Sequence, residues 1–377
     1  MFDKLDFSTV PPLCFIQDED ALLKNLELIK ELRKNADIKI ILALKAFANW
    51  HYFPLIKQYL DGATASSAFE AQLIYEEMKC RAHTYAPVYT EETIDKILYY
   101  SDYLTFNSLS QYEKYKDKME DKVSYGLRIN PQFSPVETEL YNPASPGSRL
   151  GITSEHLKKL PEGIEGLHFH VLCESSALDL VQVIKAVEEH FHDLLFDLKW
   201  LNVGGGHLVT GDNYDLTKLI FQCKKIKAKY GAQVIMEPGS AILWNTGVLV
   251  TRIEDIVSAN GIQTLVLNAS FTAHMPDTLE MPYRPEIYGA NKDGIGKFKY
   301  RIGGVSCLAG DFLEAYGFEE EVEIGDRIVF KDMMHYTTVK TTMFNGVEHP
   351  ELGAWSEEKG YRTLRKYTYS DYRKRMG

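Results

Sequence analysis

Lys45 closes the run LALKAF and shares side-chain parity with Ile41 and Ala43. On a strand, that parity turns the amine to the same side as its apolar neighbours. A lysine in such surroundings has a lowered pKa and can act as a nucleophile in Schiff-base chemistry; a lone lysine past a strand is more often a surface residue. Farther along, Val203 runs into Gly204, Gly205, Gly206 and His207. Three glycines leave backbone N–H groups unshielded, so the run is either a phosphate cradle or a flexible turn. Glu237 and Gly239, in MEPG, add a carboxylate after the next β-type run. An amine, a phosphate cradle and a carboxylate make a donor set for pyridoxal 5'-phosphate. Lys45 would anchor it, and Glu237 would keep the pyridine nitrogen protonated so that the ring serves as an electron sink.

Two further groups accompany this set. His168 and His170 alternate in LHFH and face the same way. They read as an HxH metal pair, as an imidazole stacked on a cofactor ring, or as core histidines. Arg128, in GLRINP, is an arginine on the inward side of a strand. It either bridges to a cofactor oxygen, orients the histidine, or packs against loop carboxylates.

The elements that must hold these residues are strands alternating with helices. Strand runs are expected at 38–44, 63–66, 83–86, 103–106, 123–129, 164–170, 199–203 and 233–237. Amphipathic helices are expected between them. One starts at Ala68 with Phe69, Leu73 and Met78 inward, and another at Ser176 with Leu178, Val181, Ile184 and Val187 inward. About eight strand–helix repeats in roughly 220 residues is the pattern of an α/β protein with a (β/α)8 TIM-type barrel, whose chemistry gathers at the C-terminal strand ends. Residues 18–240 are read as this barrel. Residues 241–377, with an N-terminal strand from 1–17, are read as a mainly β domain, including strands in GVLVTRIEDIV, IQTLVLNAS, KYRIGG, DRIVFKD and TTVKTTMF. The stretch from Asn130 to Ser148 is expected to be a long loop, and the C-terminus a docked strand with a solvated tail.

Composition sets the class. The 377 residues are 45% hydrophobic and 25% charged, enough to bury a large core. A net charge of −11 disfavours nucleic acid as a partner and tolerates a cationic small molecule. No apolar run reaches the ~18 residues of a membrane span. Five scattered cysteines without a CxxC pair give neither a disulfide framework nor a zinc site, so a reduced, cytoplasmic protein without a metal is expected.

Taken together, LALKAF, LHFHVLCESS, NVGGGH, MEPGSA, AHMPDTLEMPYRP, SCLAGD and HYTTVKTTMFNG resemble the carboxynorspermidine (carboxyspermidine) decarboxylase family. This is a branch of the fold-type III decarboxylases, with those acting on ornithine, arginine and diaminopimelate. The resemblance covers nearly the whole chain. It implies α-decarboxylation of a small cationic carboxylated polyamine in polyamine biosynthesis, and a homodimer with shared active sites. It also implies roles by position. Lys45 resembles the Schiff-base lysine, His170 the ring-stacking histidine, Gly205 and Gly206 the phosphate cradle, and Glu237 the partner of the pyridine nitrogen. Tyr336 resembles a phosphate-binding tyrosine, and Cys307 the proton donor delivered from the other subunit. Asp311 and Asp277 resemble acidic contacts for the substrate's amines. Ser240 stands after EPG where ornithine-type enzymes have arginine, and is read as a substrate contact. The rivals are another decarboxylase of this fold, a cofactor-binding regulator without turnover, or a metal-dependent hydrolase using His168 and His170.

Overall fold

The structure, a computed structural model, describes residues 2, 4–281 and 283–377, so Met1, Asp3 and Pro282 lie outside it. The chain forms two compact units, Asn25–Ile242 and Met1–Lys24 with Leu243–Gly377. Strand β1 (Cys14–Asp18) belongs to the second unit.

The first unit is a closed parallel barrel. Its strands are β2 (Lys39–Ile40), β3 (Leu42–Ala43), β4 (Ala63–Ala65), β5 (Ala82–Tyr85), β6 (Ser101–Phe106), β7 (Ser124–Arg128), β8 (Ile164–His168), β9 (Trp200–Asn202) and β10 (Gln233–Met236). They run in the order β2-β10-β9-β8-β7-β6-β5-β4-β3. β2 and β3 are the two halves of the single run expected at 38–44. The Ile41 N–H bonds to Met236 O (3.0 Å) and the Leu42 N–H to Gly62 O (3.0 Å), so one segment reaches both neighbours and closes the sheet. Each of the eight expected runs contains a strand, and the barrel expectation holds.

Trp200 fills the barrel interior together with Ile41, Ile235 and Tyr103. It needs glycine opposite: a Cβ on Gly126 would lie 2.2 Å from the indole, and one on Gly166 2.1 Å. A plugged interior leaves the strand ends as the place for chemistry.

The helices differ in facing from the expectation. In helix Ala177–Phe191 the buried side is Ala177, Leu180, Val183, Ile184, Val187 and Phe191, while Leu178 is 52% exposed. A strict three-residue step drifts around a helix of 3.6 residues per turn, so only part of the expected row stays inward. Met78 is buried as expected, but Phe69 is 82% exposed, and Ala71 and Ile74 are buried in its place. Helix Ala68–Leu73 continues as a π-helical turn, Ile74–Met78, which changes the facing.

The second unit is mainly sheet: β11 (Gly247–Ala259), β12 (Ile262–Leu267), β13 (Ala290–Asn291), β14 (Phe298–Gly303), β15 (Phe312–Phe318), β16 (Arg327–Lys331), β17 (Glu351–Ser356) and β18 (Gly360–Arg365). The order is β13-β15-β14-β12-β11-β1-β17-β18, with β16 on β11. β1 is thus central, antiparallel to β11 and parallel to β17. One expected strand is corrected: in TTVKTTMF, Thr337–Lys340 is a helix. The hydroxyls of Thr338 and Thr341 donate to Met334 O and Thr337 O (2.8 Å each), a local satisfaction that lets β-branched threonines sit in a helical turn. The C-terminus is strand β18 followed by helix Tyr369–Met376, opened by a Thr368–Asp371 capping box. No helix among the described residues is long and apolar enough to cross a membrane.

Candidate active site

The barrel brings Lys45, His170, Arg128, the glycine run and Glu237 to the C-terminal ends of its strands. Lys45 follows β3 in a turn closed by Ala46 N–H to Ala43 O (3.0 Å). Its Nζ lies 3.4 Å from His170 Nε2. The Gly205 N–H donates to His170 Nδ1 (2.9 Å). That bond assigns the neutral ring's proton to Nε2, which then faces the lysine nitrogen. Such a contact calls for a lone pair on the amine, the nucleophilic form of lysine. Burial lowers the Lys45 pKa, in the same direction, even though water reaches the side chain.

The imidazoles are neutral for a physical reason. Burial, with the charges of Arg128 and Lys45, holds His168 well below its ordinary range; burial, Lys45 and Arg128 do the same to His170. Arg128 donates from Nη2 to His170 O (3.1 Å), and its guanidinium lies over the Tyr85 ring at 4.6 Å. Arg128 therefore fixes the backbone that carries His170. His168 is buried below, edge-on to Tyr85 at 5.3 Å, with neither ring nitrogen hydrogen-bonded. Among the described residues no group of three or more histidine, cysteine or acidic side chains is placed to hold a metal ion.

Glu237 is buried, which pushes its carboxyl up, against a hydrogen bond from Asn202 and the charge of Lys45. Asn202 Nδ2 donates to Glu237 Oε1 (2.7 Å), and Asn202 Oδ1 accepts the Gly204 N–H (2.9 Å). One amide thus ties the carboxylate to the glycine run. Gly206 has φ +87, and a Cβ there would fall 2.1 Å from Leu172 O. Gly239 lets its loop approach the lysine turn: its Cβ would be 2.5 Å from that of Ala46. Ser240 follows directly and opens helix Ser240–Leu243. An amine with a lowered pKa, backbone amides at a glycine loop and a carboxyl raised by burial fit the donor set for pyridoxal 5'-phosphate.

Sequence reasoning missed several members of this site. Asn202 has inward parity with Trp200, a usable signal in KWLNV. Glu70 accepts the Ser66 N–H (2.6 Å); burial raises its carboxyl, against that bond and the charge of Lys45. Its SxxE spacing reads from sequence only as a helix cap. Tyr85 donates to Asn107 Oδ1 (2.8 Å), a contact between strands that no local pattern shows.

The remaining expected residues lie in the sheet unit. Tyr336 has φ +55, unusual for a bulky residue, and precedes helix Thr337–Lys340. Asp277 pairs with Lys340, which also reaches Glu280 (2.7 Å). Asp311 is 4% exposed; Oδ1 accepts the Thr272 N–H (3.0 Å), and Oδ2 accepts the Ser306 N–H (3.2 Å) and hydroxyl (2.5 Å). Cys307 is exposed, and its N–H donates to Asn345 Oδ1 (2.7 Å).

Comparison with known proteins agrees with this chemistry. Residues 14–334 match the family described as pyridoxal-dependent decarboxylase, C-terminal sheet domain. The carboxyaminopropylagmatine decarboxylase of Synechocystis sp. is 45% identical over 373 residues, 98% of this chain and 96% of the relative. The carboxynorspermidine/carboxyspermidine decarboxylase of Campylobacter jejuni is 41% identical over 370 residues, 95% of this chain and 96% of the relative. The crystal structure of carboxynorspermidine decarboxylase from C. jejuni complexed with norspermidine superposes with a TM-score of 0.89 at 39% identity, covering 97% of this chain and 100% of that one. With a lysine beside a histidine, a half-buried carboxyl and a glycine loop at one barrel mouth, the chain belongs to the pyridoxal-dependent decarboxylases.

Proposed function

We propose that the protein removes the α-carboxylate of a carboxylated polyamine, carboxyspermidine or carboxynorspermidine, to give spermidine or norspermidine and CO2. The observation that carries the reading is the Gly205–His170–Lys45 chain, which presents a lysine lone pair at the mouth of a barrel. The choice of polyamine is supported by the relatives named for these substrates and by the norspermidine complex.

Lys45 would hold pyridoxal 5'-phosphate covalently. Gly206, Gly239 and Tyr336 would hold its phosphate while the Gly205 N–H holds His170. Glu237 would face its ring nitrogen, His170 would lie against the ring, and Arg128 fixes the His170 backbone. When bound, the cofactor supplies an electron sink for the pair left as CO2 departs. Glu237, raised by burial, is suited to sharing a proton with a ring nitrogen. Cys307 of the other subunit of a homodimer would return a proton to the substrate carbon. Asp277 and Ser240 would contact the substrate's remaining polar groups. Asp277 and Glu280 against Lys340 leave a net negative cluster for a cation. The five free cysteines suit a cytoplasmic setting.

A second substrate is favoured by one finding, the 45% identity to a carboxyaminopropylagmatine decarboxylase. That substrate ends in a guanidinium rather than an ammonium. CO2 release from carboxynorspermidine, carboxyspermidine, carboxyaminopropylagmatine, diaminopimelate, ornithine and arginine tests the proposal. The first two are expected to lead. Preference for carboxyaminopropylagmatine selects the second reading, and preference for any of the last three overturns both.

A further inference from the structure

We infer that Asn345 and Asp311 are positioning residues that aim the Cys307 thiol. The inference rests on the reading of Cys307 as the proton donor. Cys307 sits at the tip of the turn joining β14 to β15, among exposed residues that include Val305 and Leu308. Apolar packing does not hold such a tip, so its conformation depends on hydrogen bonds.

Those bonds come from two side chains, one at the foot of the turn and one far along the chain. Asp311 lies under the turn with both oxygens engaged, by Thr272 on one side and Ser306 on the other. Its backbone closes the loop: Gly304 N–H bonds to Asp311 O (2.7 Å), and Asp311 N–H to Leu308 O (3.0 Å). Gly304 makes room for the carboxylate, since a Cβ there would sit 2.4 Å from Asp311 Oδ2. Three donors and near-complete burial give this carboxylate a supporting role, and leave the substrate's amines to other groups. From the opposite flank, Asn345 accepts the Cys307 N–H itself (2.7 Å), across 38 residues of sequence. Asn345 holds φ +61, a conformation asparagine tolerates better than other side chains. The residue before Cys307 and the Cys307 amide are therefore fixed independently, which sets the direction of the thiol.

Direction matters to the step assigned to Cys307. The C–C bond to the carboxylate breaks, CO2 leaves, and the released electron pair forms a C–H bond with the thiol proton. The thiolate then regains a proton from water, with no net change of oxidation state. A misplacement of about 1 Å can cost on the order of a hundredfold in rate.

The test uses holoenzyme turning over in D2O, with kcat, KM and the stereochemical purity of the monodeuterated product carbon. Asn345→Gly keeps the backbone conformation and removes the acceptor; Asn345→Asp keeps both. Asn345→Gly is expected to lower kcat about tenfold with KM little changed, and to give mixed deuterium stereochemistry. Asn345→Asp is expected to restore both. Asp311→Asn, where it folds, is expected to mix the stereochemistry as well. A stereochemically pure product at wild-type kcat from Asn345→Gly, with Cys307→Ala impaired in both, overturns the positioning role alone. A pure product at wild-type kcat from Cys307→Ala shows instead that the proton-donor reading has failed.

Discussion

The barrel mouth and the Cys307 turn place reactive groups by different means. At the mouth, Lys45, His170, Asn202 and Glu237 sit on ends of separate strands of one closed sheet; Asn202 is buried, His170 and Glu237 are half-buried, and water reaches Lys45. Burial acts directly on their protonation: it lowers the lysine and histidines and raises the glutamate. At the turn, Cys307 is exposed, and Asp311 and Asn345 set its position through backbone bonds. One region controls which form of a group exists, and the other controls where a group points.

The largest expected effect breaks the mouth. Lys45→Ala should lower turnover by at least about a thousandfold and abolish the absorbance of bound cofactor, with the circular dichroism of the fold retained. Colour and activity surviving together would remove Lys45 from its role. Mixed with Cys307→Ala under subunit exchange, it should recover about a quarter of wild-type activity if the two regions meet across a two-fold dimer. No recovery despite demonstrated hybrids would place each site within one chain.

A pair of glycines sharpens the contrast. Gly206→Ala must fit a Cβ 2.1 Å from Leu172 O at φ +87 and should cost about 3 kcal/mol in unfolding free energy, with loss of cofactor retention. Gly310, in the Cys307 turn, would meet nothing within 4 Å. Gly310→Ala should change the unfolding free energy read from urea denaturation by less than about 0.5 kcal/mol. Equal effects would show that the two regions are packed alike.

The pH response should separate the regions as well. Burial lowers His207 from 6.5 to about 4. Above pH 6.5 it is neutral folded and unfolded, so it costs nothing. As pH falls below 6.5 only the unfolded chain takes the proton, and stability drops until the folded ring protonates near 4. The total is on the order of 3 kcal/mol for this group, read from urea midpoints between pH 7 and 4. Imidazole NMR shifts should show His168 and His170 protonating only below the ordinary histidine range. Protonation of both above pH 6 would refute desolvation as the control.

The smallest effect on activity lies in the acidic cluster of the sheet unit. Asp277→Asn should raise KM for the triamine about tenfold and leave cofactor binding intact, since a charge-assisted bond contributes about 1.5–3 kcal/mol. An unchanged KM would make Asp277 solely a partner of Lys340.

Local signals make much of the barrel legible in the sequence. Strand runs 63–66, 123–129 and 233–237 are short and apolar between turn residues, and each forms barrel strand. Lys45 and Glu237 stand out because a charged side chain at a strand end, in phase with apolar ones, must be desolvated, and burying a charge is costly unless a partner or a ligand meets it. β15 and β17 are not legible: FLEAYGF and ELGAWS alternate weakly, and they are strands through pairing with β14 and β1, whereas β18 lies in the C-terminal run expected as a docked strand. Thr337–Lys340 misleads in the opposite sense, because threonine favours strands until its hydroxyl finds a carbonyl one turn back.

By itself, the sequence determined which residues can carry charge, covalent chemistry or a positive φ, and the period that makes a barrel of strand–helix units. Those properties belong to single residues and to spacings of a few positions. Tertiary structure alone decided that Asn202 ties Glu237 to the glycine run, that the Gly205 amide selects the His170 tautomer, and that Asn345 reaches Cys307 across 38 residues. A hydrogen bond depends on distance and angle between atoms whose separation along the chain fixes neither, so these pairings exist only once the sheet has closed and the turn has formed.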